Sequence, residues 1–155
     1  MTIHPTAIIS PHAKLADDII IGPGVVIGER VEIGSGCVLQ AHSVIESDTT
    51  IGSDNTIGYG AVIGAAPQDY AHSAEIRSSV VIGNNNRIRE YATIHRGTKD
   101  GTVTRIGNHC FLMVGVHVGH NCEISDGAII TNNVLLAGYV HVGESAVLGG
   151  GAVFH

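Results

Sequence analysis

Three features are scarce in this chain, and each scarcity removes a class of function. Basic residues number eight against fourteen acidic ones, a formal charge of −6 over 155 residues, which argues against nucleic acid as a partner. No apolar run approaches the ~18 residues of a membrane span, so none is expected. Met1 to Ser10 also lacks the charged-then-apolar build of a signal peptide, which points to the cytoplasm. Cysteines are only three, Cys37, Cys110 and Cys122, and all fall on one small position of a repeat, so they read as reduced core residues and not as a disulfide or metal set.

What the chain has in abundance is a beat of six. A large aliphatic recurs at Ile9, Leu15, Ile21, Ile27, Ile33, Leu39, Ile45, Ile51, Ile57 and Ile63, then at Ile82, Ile88 and Ile94, and then from Ile106 through Leu112, Val118, Ile124, Ile130, Leu136, Val142 and Leu148 to Phe154. Six fits neither a helix nor a simple alternating strand, and it is a signature of a parallel β-helix. A compact residue commonly precedes the beat by two positions, and glycine often follows it, where the backbone must turn. The beat then points a large side chain inward and the earlier position a small one, as packing inside a narrow prism requires. Three hexads make one triangular coil of about eighteen residues, stacked on the next at roughly 4.8 Å. The expected architecture is all-β, one domain over residues 1–155.

The beat breaks twice, between Ile63 and Ile82 and between Ile94 and Ile106, where loops near 64–81 and 95–105 leave the coil. Such loops either carry binding groups on a rigid scaffold or are tolerated insertions. Six of the eight basic residues (Arg77, Arg87, Arg89, Arg96, Lys99 and Arg105) fall in this region, a local positive field suited to phosphate or to an acidic protein, or else a solvated face balanced by Glu90 and Asp100. Of ten histidines, His4, His12, His42, His72 and His109 read as surface residues. His155 follows His120 by 35 residues, one short of two coils, so the two belong near one edge of the prism, roughly 9 to 10 Å apart along its axis. At a corner His120 could serve as a general base, or be a lone surface histidine; spacing leaves both open.

The segments RIREYATIHRGT (Arg87 to Thr98), Gln68-Asp69, HVGHNC (His117 to Cys122), NNVLLAG (Asn132 to Gly138) and the terminal GGGAVFH resemble the UDP-N-acetylglucosamine O-acyltransferases of lipid A biosynthesis, hexapeptide-repeat enzymes. The resemblance covers nearly the whole chain. It implies a left-handed coil, a homotrimer with sites between subunits, and transfer of a 3-hydroxyacyl group from acyl carrier protein to the sugar 3-hydroxyl of UDP-N-acetylglucosamine. By the same resemblance His120 is the general base and Gly138 the backbone oxyanion donor. Gln68, Asp69, His117, Tyr139 and His155 contact the sugar or the acyl donor, and Arg87, Arg89, Arg96 and Arg105 attract the carrier protein or a phosphate. No metal or bound cofactor is implied, since phosphopantetheine arrives on the donor.

The chain departs from the family at three points and at its end. A basic residue common just after the Gln-Asp pair is missing from Asp69-Tyr70-Ala71-His72, Tyr139 replaces the usual histidine, and Asn121 replaces an acid that often follows the base. Family members continue beyond the equivalent of His155 into further coils and a C-terminal helical region. Two other readings stand beside the acyltransferase: a non-catalytic or truncated trimeric scaffold binding nucleotide sugar or carrier protein, and a γ-class carbonic anhydrase, whose ligand pattern the i, i+3 spacing of His117 and His120 does not resemble.

Overall fold

The computed structural model describes residues 1–155. Twenty-three short strands, from Thr2–Ile3 to Val153–Phe154, wind into a left-handed parallel β-helix with no helical segment. Nothing in it is a helix long and apolar enough to cross a membrane. The strands fall on three flat faces. A first sheet of eight strands starts at Thr2–Ile3, a second of eight at Ile8–Ile9, and a third of seven at Lys14–Leu15. Neighbours within each sheet are parallel and in register, as in Ile20↔Val38, Val26↔Val44 and Glu32↔Thr50.

The six-residue beat is the core. Every beat residue from Ile21 to Val142 is buried, one column per face, while Ile9, Leu15 and Leu148 near the ends are only partly covered. Fixed lateral register makes like sit on like: Ile21, Leu39 and Ile57 stack on the first face, Ile27, Ile45 and Ile63 on the second. The compact position is buried too, except toward the ends (Ala7, Ala13, Val140, Ala146 and Ala152), and all three cysteines occupy it as free thiols. Each Sγ–H reaches a carbonyl of the next coil, that of Gly52, Ser125 or Ala137, and burial pushes all three thiols above their ordinary pKa.

In one column that position is less uniform than the sequence pattern implies. Asn55 and Asn86 sit there, fully buried, between Cys37 below and Cys110 above. Each amide is consumed. Asn55 Nδ2 donates to the Gly83 carbonyl at 2.8 Å and its Oδ1 accepts the Asn86 N–H at 2.9 Å. Asn86 repeats the motif one coil up, donating to the Gly107 carbonyl at 2.9 Å and accepting the Cys110 N–H at 2.7 Å. An outer ladder runs alongside: Asn84 Oδ1 accepts from Ser53 N–H, Asn108 Oδ1 from Asn84 N–H, and Asp126 Oδ1 from Asn108 N–H.

Two excursions interrupt the coil, residues 66–78 after Val62–Ala65 and 96–102 after Thr93–His95. Contacts between coils join residues 18 apart where the coil is regular, as in Lys14–Glu32, but 31 apart across the first excursion (Ser53–Asn84) and 24 apart across the second (Asn84–Asn108). Both leave from the same corner, between the second and third sheets, on successive coils. A bulge marks the first departure. The register passes from Ile63↔Ile94 to Ala65↔His95, and the skipped Gly64 takes φ 88, a left-handed conformation glycine adopts without strain. The excursions are pinned to each other by Ser78 Oγ–H on the Gly97 carbonyl (2.6 Å) and by the Arg77 N–H on Asp100 (2.7 Å).

Asn86→Ala would leave the Cys110 N–H and the Gly107 carbonyl buried and unpaired. At about 1–3 kcal/mol per orphaned group, a loss of about 3 kcal/mol of unfolding free energy is expected, read as a lower urea midpoint, with alanine at solvent-exposed Asn132 as the control.

Candidate active site

The corner that ejects both excursions continues upward as an edge lined with histidines. His95 ends the strand Thr93–His95, His117 opens His117–Val118, and His120 follows at the next turn. One coil further on, Gly138 and Tyr139 occupy that corner, and His155 lies beyond them. Together with Gln68 from the first excursion, Gly119 and Ala137, they line an open cavity of about 400 Å³. The structure therefore gathers His120, Gly138, Gln68, His117, Tyr139 and His155 in one place. Asp69 is not among them. It lines an adjoining depression with Pro67 and Tyr70, and its Oδ1 accepts the Ala71 N–H at 2.9 Å.

The basic cluster needs correction: the fold does not bring it onto one surface of the chain. Arg87 stands on the first sheet and Arg105 on the third, where it lies opposite Glu123. Arg89 is held by Glu90 at 3.0 Å, and Arg77 faces Asp48 at 3.7 Å. Of Arg87, Arg89, Arg96 and Arg105, Arg96 alone sits at the histidine edge, with Nη1 on the Gly64 carbonyl at 3.2 Å. The dispersal follows from the coil itself, since about six residues turn the chain onto a new face. Two histidines read as unpaired surface groups also differ: His12 meets Glu29 at 2.7 Å, and both ring nitrogens of His72 are enclosed without a partner.

His120 is held by its neighbour. Its Nδ1 is 3.0 Å from Asn121 Oδ1, an oxygen that also accepts the Thr98 backbone N–H at 3.1 Å. A backbone N–H can only donate, so the amide atom facing it is the oxygen. Nδ1 must then carry the proton, leaving Nε2 as the acceptor. The ring packs edge-on against Tyr139, with centroids 5.3 Å apart. Beneath this arrangement lies a steric requirement: a Cβ on Gly138 would fall on the His120 imidazole. Any side chain there displaces the ring. The Gly138 N–H meets no acceptor within the chain.

His95 is the residue that spacing missed. It packs edge-on to His117 at 4.8 Å, and burial, with His117 and His120 nearby, pulls its pKa down to about 4. His117 is lowered as well, by burial and then by His120, and its Nδ1 is 2.7 Å from Thr93 Oγ1. Within one chain these residues form no group able to hold a metal ion. The reason His95 escaped notice is the second excursion, whose six extra residues bring the strand Thr93–His95 beside His117–Val118 across 24 positions instead of 18.

Because folded His95 resists protonation down to about 4 whereas the unfolded residue takes a proton near 6.5, the unfolded state binds more protons between those values. Stability should therefore fall as pH drops from about 6.5 toward 4. His95→Gln should flatten that part of the curve, seen in urea midpoints measured across the window; an equally steep curve in the variant would show that other groups set it.

Known proteins bear on this geometry. The bacterial transferase hexapeptide family (six repeats) matches residues 30–65 and 104–138. An acyl-[acyl-carrier-protein]–UDP-N-acetylglucosamine O-acyltransferase of Thiobacillus denitrificans is 54% identical over 150 residues, 96% of this chain and 58% of that protein. The crystal structure of UDP-N-acetylglucosamine O-acyltransferase from Moraxella catarrhalis superposes with a TM-score of 0.97 at 46% identity, over 100% of this chain and 60% of that one. The Bacteroides fragilis structure gives 0.87 at 38%, over 99% and 67%. The chain thus spans about three-fifths of the length of such relatives. It belongs to the hexapeptide-repeat family of UDP-N-acetylglucosamine O-acyltransferases.

Proposed function

We propose that the chain carries the catalytic coil of an acyltransferase that moves a 3-hydroxyacyl group from acyl carrier protein to the 3-hydroxyl of UDP-N-acetylglucosamine, the first step of lipid A biosynthesis. The observation that carries this reading is the stacking of Gly138 over His120 in one cavity, an available ring nitrogen beside an unengaged backbone N–H. Acyl transfer needs that pair: a base for the attacking hydroxyl and a preorganised donor for the oxyanion.

His120 Nε2 takes the proton from the sugar hydroxyl as its oxygen attacks the thioester carbonyl. The tetrahedral oxyanion is held by the Gly138 N–H. It collapses with cleavage of the C–S bond, and the imidazolium returns its proton to the departing pantetheine sulfur. The acyl group is left on the sugar and the thiol on the carrier. Gln68, His117, Tyr139 and His155 line the cavity that would receive sugar and acyl donor, and Asp69 stands in the adjoining depression. Arg96, the arginine at the histidine edge, would meet a phosphate of the nucleotide or the donor. Phosphopantetheine travels with the carrier, so no resident cofactor enters the scheme, and both substrates belong to the cytoplasm.

The faces support assembly into a homotrimer. Outward positions are mostly apolar on the first sheet (Ile20 and Val147 among them, with Arg87, Thr2 and Thr56 the exceptions) and on the second (Ile8, Leu135 and Val153, with Thr93 and His117 the exceptions), and the five apolar residues named are well exposed in the single chain. The third sheet presents Lys14, Glu32, Arg105, Glu123 and His141. Burial of the first two faces against other copies would leave the third in solvent and put the histidine edge at the rim of an interface.

Replacing His120 by Ala should lower acyl transfer from 3-hydroxyacyl carrier protein to UDP-N-acetylglucosamine by about 10³-fold while leaving the circular dichroism spectrum and thermal midpoint unchanged. Equal turnover in chain and variant would refute the assignment of the base, and no turnover in either would refute the activity of this chain.

A further inference from the structure

His120 depends on Asn121, and Asn121 in turn depends on a residue of the second excursion. We propose that Thr98 is a positioning residue for His120: it locks the Asn121 carboxamide oxygen onto Nδ1 and so keeps the imidazole in the tautomer with a free Nε2. The proposal rests on the reading of His120 as the base.

Three donors converge on Asn121 Oδ1, and two come from Thr98: the backbone N–H at 3.1 Å and the hydroxyl at 3.2 Å; the third is His120 Nδ1–H at 3.0 Å. Since Oδ1 cannot donate, the Thr98 hydroxyl proton is committed to it. The Tyr139 phenol, 3.3 Å from Thr98 Oγ1, must then be the donor in that contact. The order is fixed end to end: Tyr139 O–H to Thr98 Oγ1, Thr98 O–H to Asn121 Oδ1, and His120 Nδ1–H to the same oxygen. Thr98 and Asn121 are each only 9% exposed, so water does not compete for these bonds.

Both ends of the clamp are anchored. Asn121 holds φ 60, a left-handed conformation that asparagine tolerates, and its N–H donates to Thr104 Oγ1 at 2.8 Å. Thr98 is set by the turn that follows it, where Thr102 Oγ–H reaches the Lys99 carbonyl at 2.6 Å. Tyr139 closes the set from two sides, its hydroxyl on Thr98 and its ring edge-on to His120. The second excursion is thereby tied to the base through Thr98 and Asn121, neither of which lines the cavity.

The test is nitrogen-15 NMR of the chain labelled at histidine, with His120→Ala used to assign the His120 signals. In the unmodified chain Nδ1 should show the protonated, pyrrole-type shift and Nε2 the pyridine-type shift. Thr98→Val should move both toward the average of two exchanging tautomers, Asn121→Ala further in the same direction, and Thr98→Ser should restore the original values. In the transfer assay Thr98→Val should lower kcat about tenfold with KM little changed, and Thr98→Ser should recover it. If valine prevents folding, Thr98→Ala removes the hydroxyl without added bulk. Unchanged His120 shifts in the valine or alanine variant would overturn the proposal, as would a serine variant as impaired as valine. Shifts that move in a chain without any transfer activity would uphold the clamp and sink the acyltransferase reading instead.

Discussion

Parallel register between coils is the constraint on which everything else hangs. Each residue of a regular stretch lies directly over the one eighteen positions earlier, so a side chain's surroundings are set by its own position in the hexad and by its counterparts above and below. An extra residue cannot be absorbed within a strand without turning every later side chain to the wrong face. It has to leave at a corner. The first excursion leaves through a single skipped glycine and returns in register, with Val80 to Ile82 paired on both sides.

The same constraint builds the site. Residues from five separated stretches, around positions 68, 95, 120, 138 and 155, meet because successive passes of the chain cross one edge. Stacking also explains why Gly138 carries no side chain, for the His120 ring occupies the space a Cβ would need. A backbone donor beside an imidazole is then a by-product of close coil spacing. What distinguishes the edge from the other corners is which side chains line it.

Most of the architecture could be read from Ile9 to Phe154, because a period of six has few structural meanings and the core columns follow it residue for residue. Several core positions hold polar side chains (Ser43, Thr49, Asn55, Asn86 and Thr104), and the amide partners of Asn55 and Asn86 are carbonyls and N–H groups that spacing does not reveal. His120 and His155 could be placed on one edge by counting, because no excursion falls between them. His95 could not, because six extra residues separate it from His117. The arginines misled for the opposite reason: closeness in sequence means little in a coil where about six residues carry the chain to a new face. Asn121 could be read from sequence as a neutral hydrogen-bonding replacement for a carboxylate, but not its bonds to Thr98, which lies 23 positions away on the second excursion.

The asparagine columns sit on the neighbouring corner, between the third and first sheets, and they join the very coils that those excursions interrupt. In mechanical terms, inserting chain along one edge of a prism works as a wedge: it loads the levels on that side and passes compression or shear to the other two edges. Amide cross-ties on one of those edges resist both. Straightness across those coils is what keeps His95, below the second excursion's exit, in line with His120 and Gly138 above it.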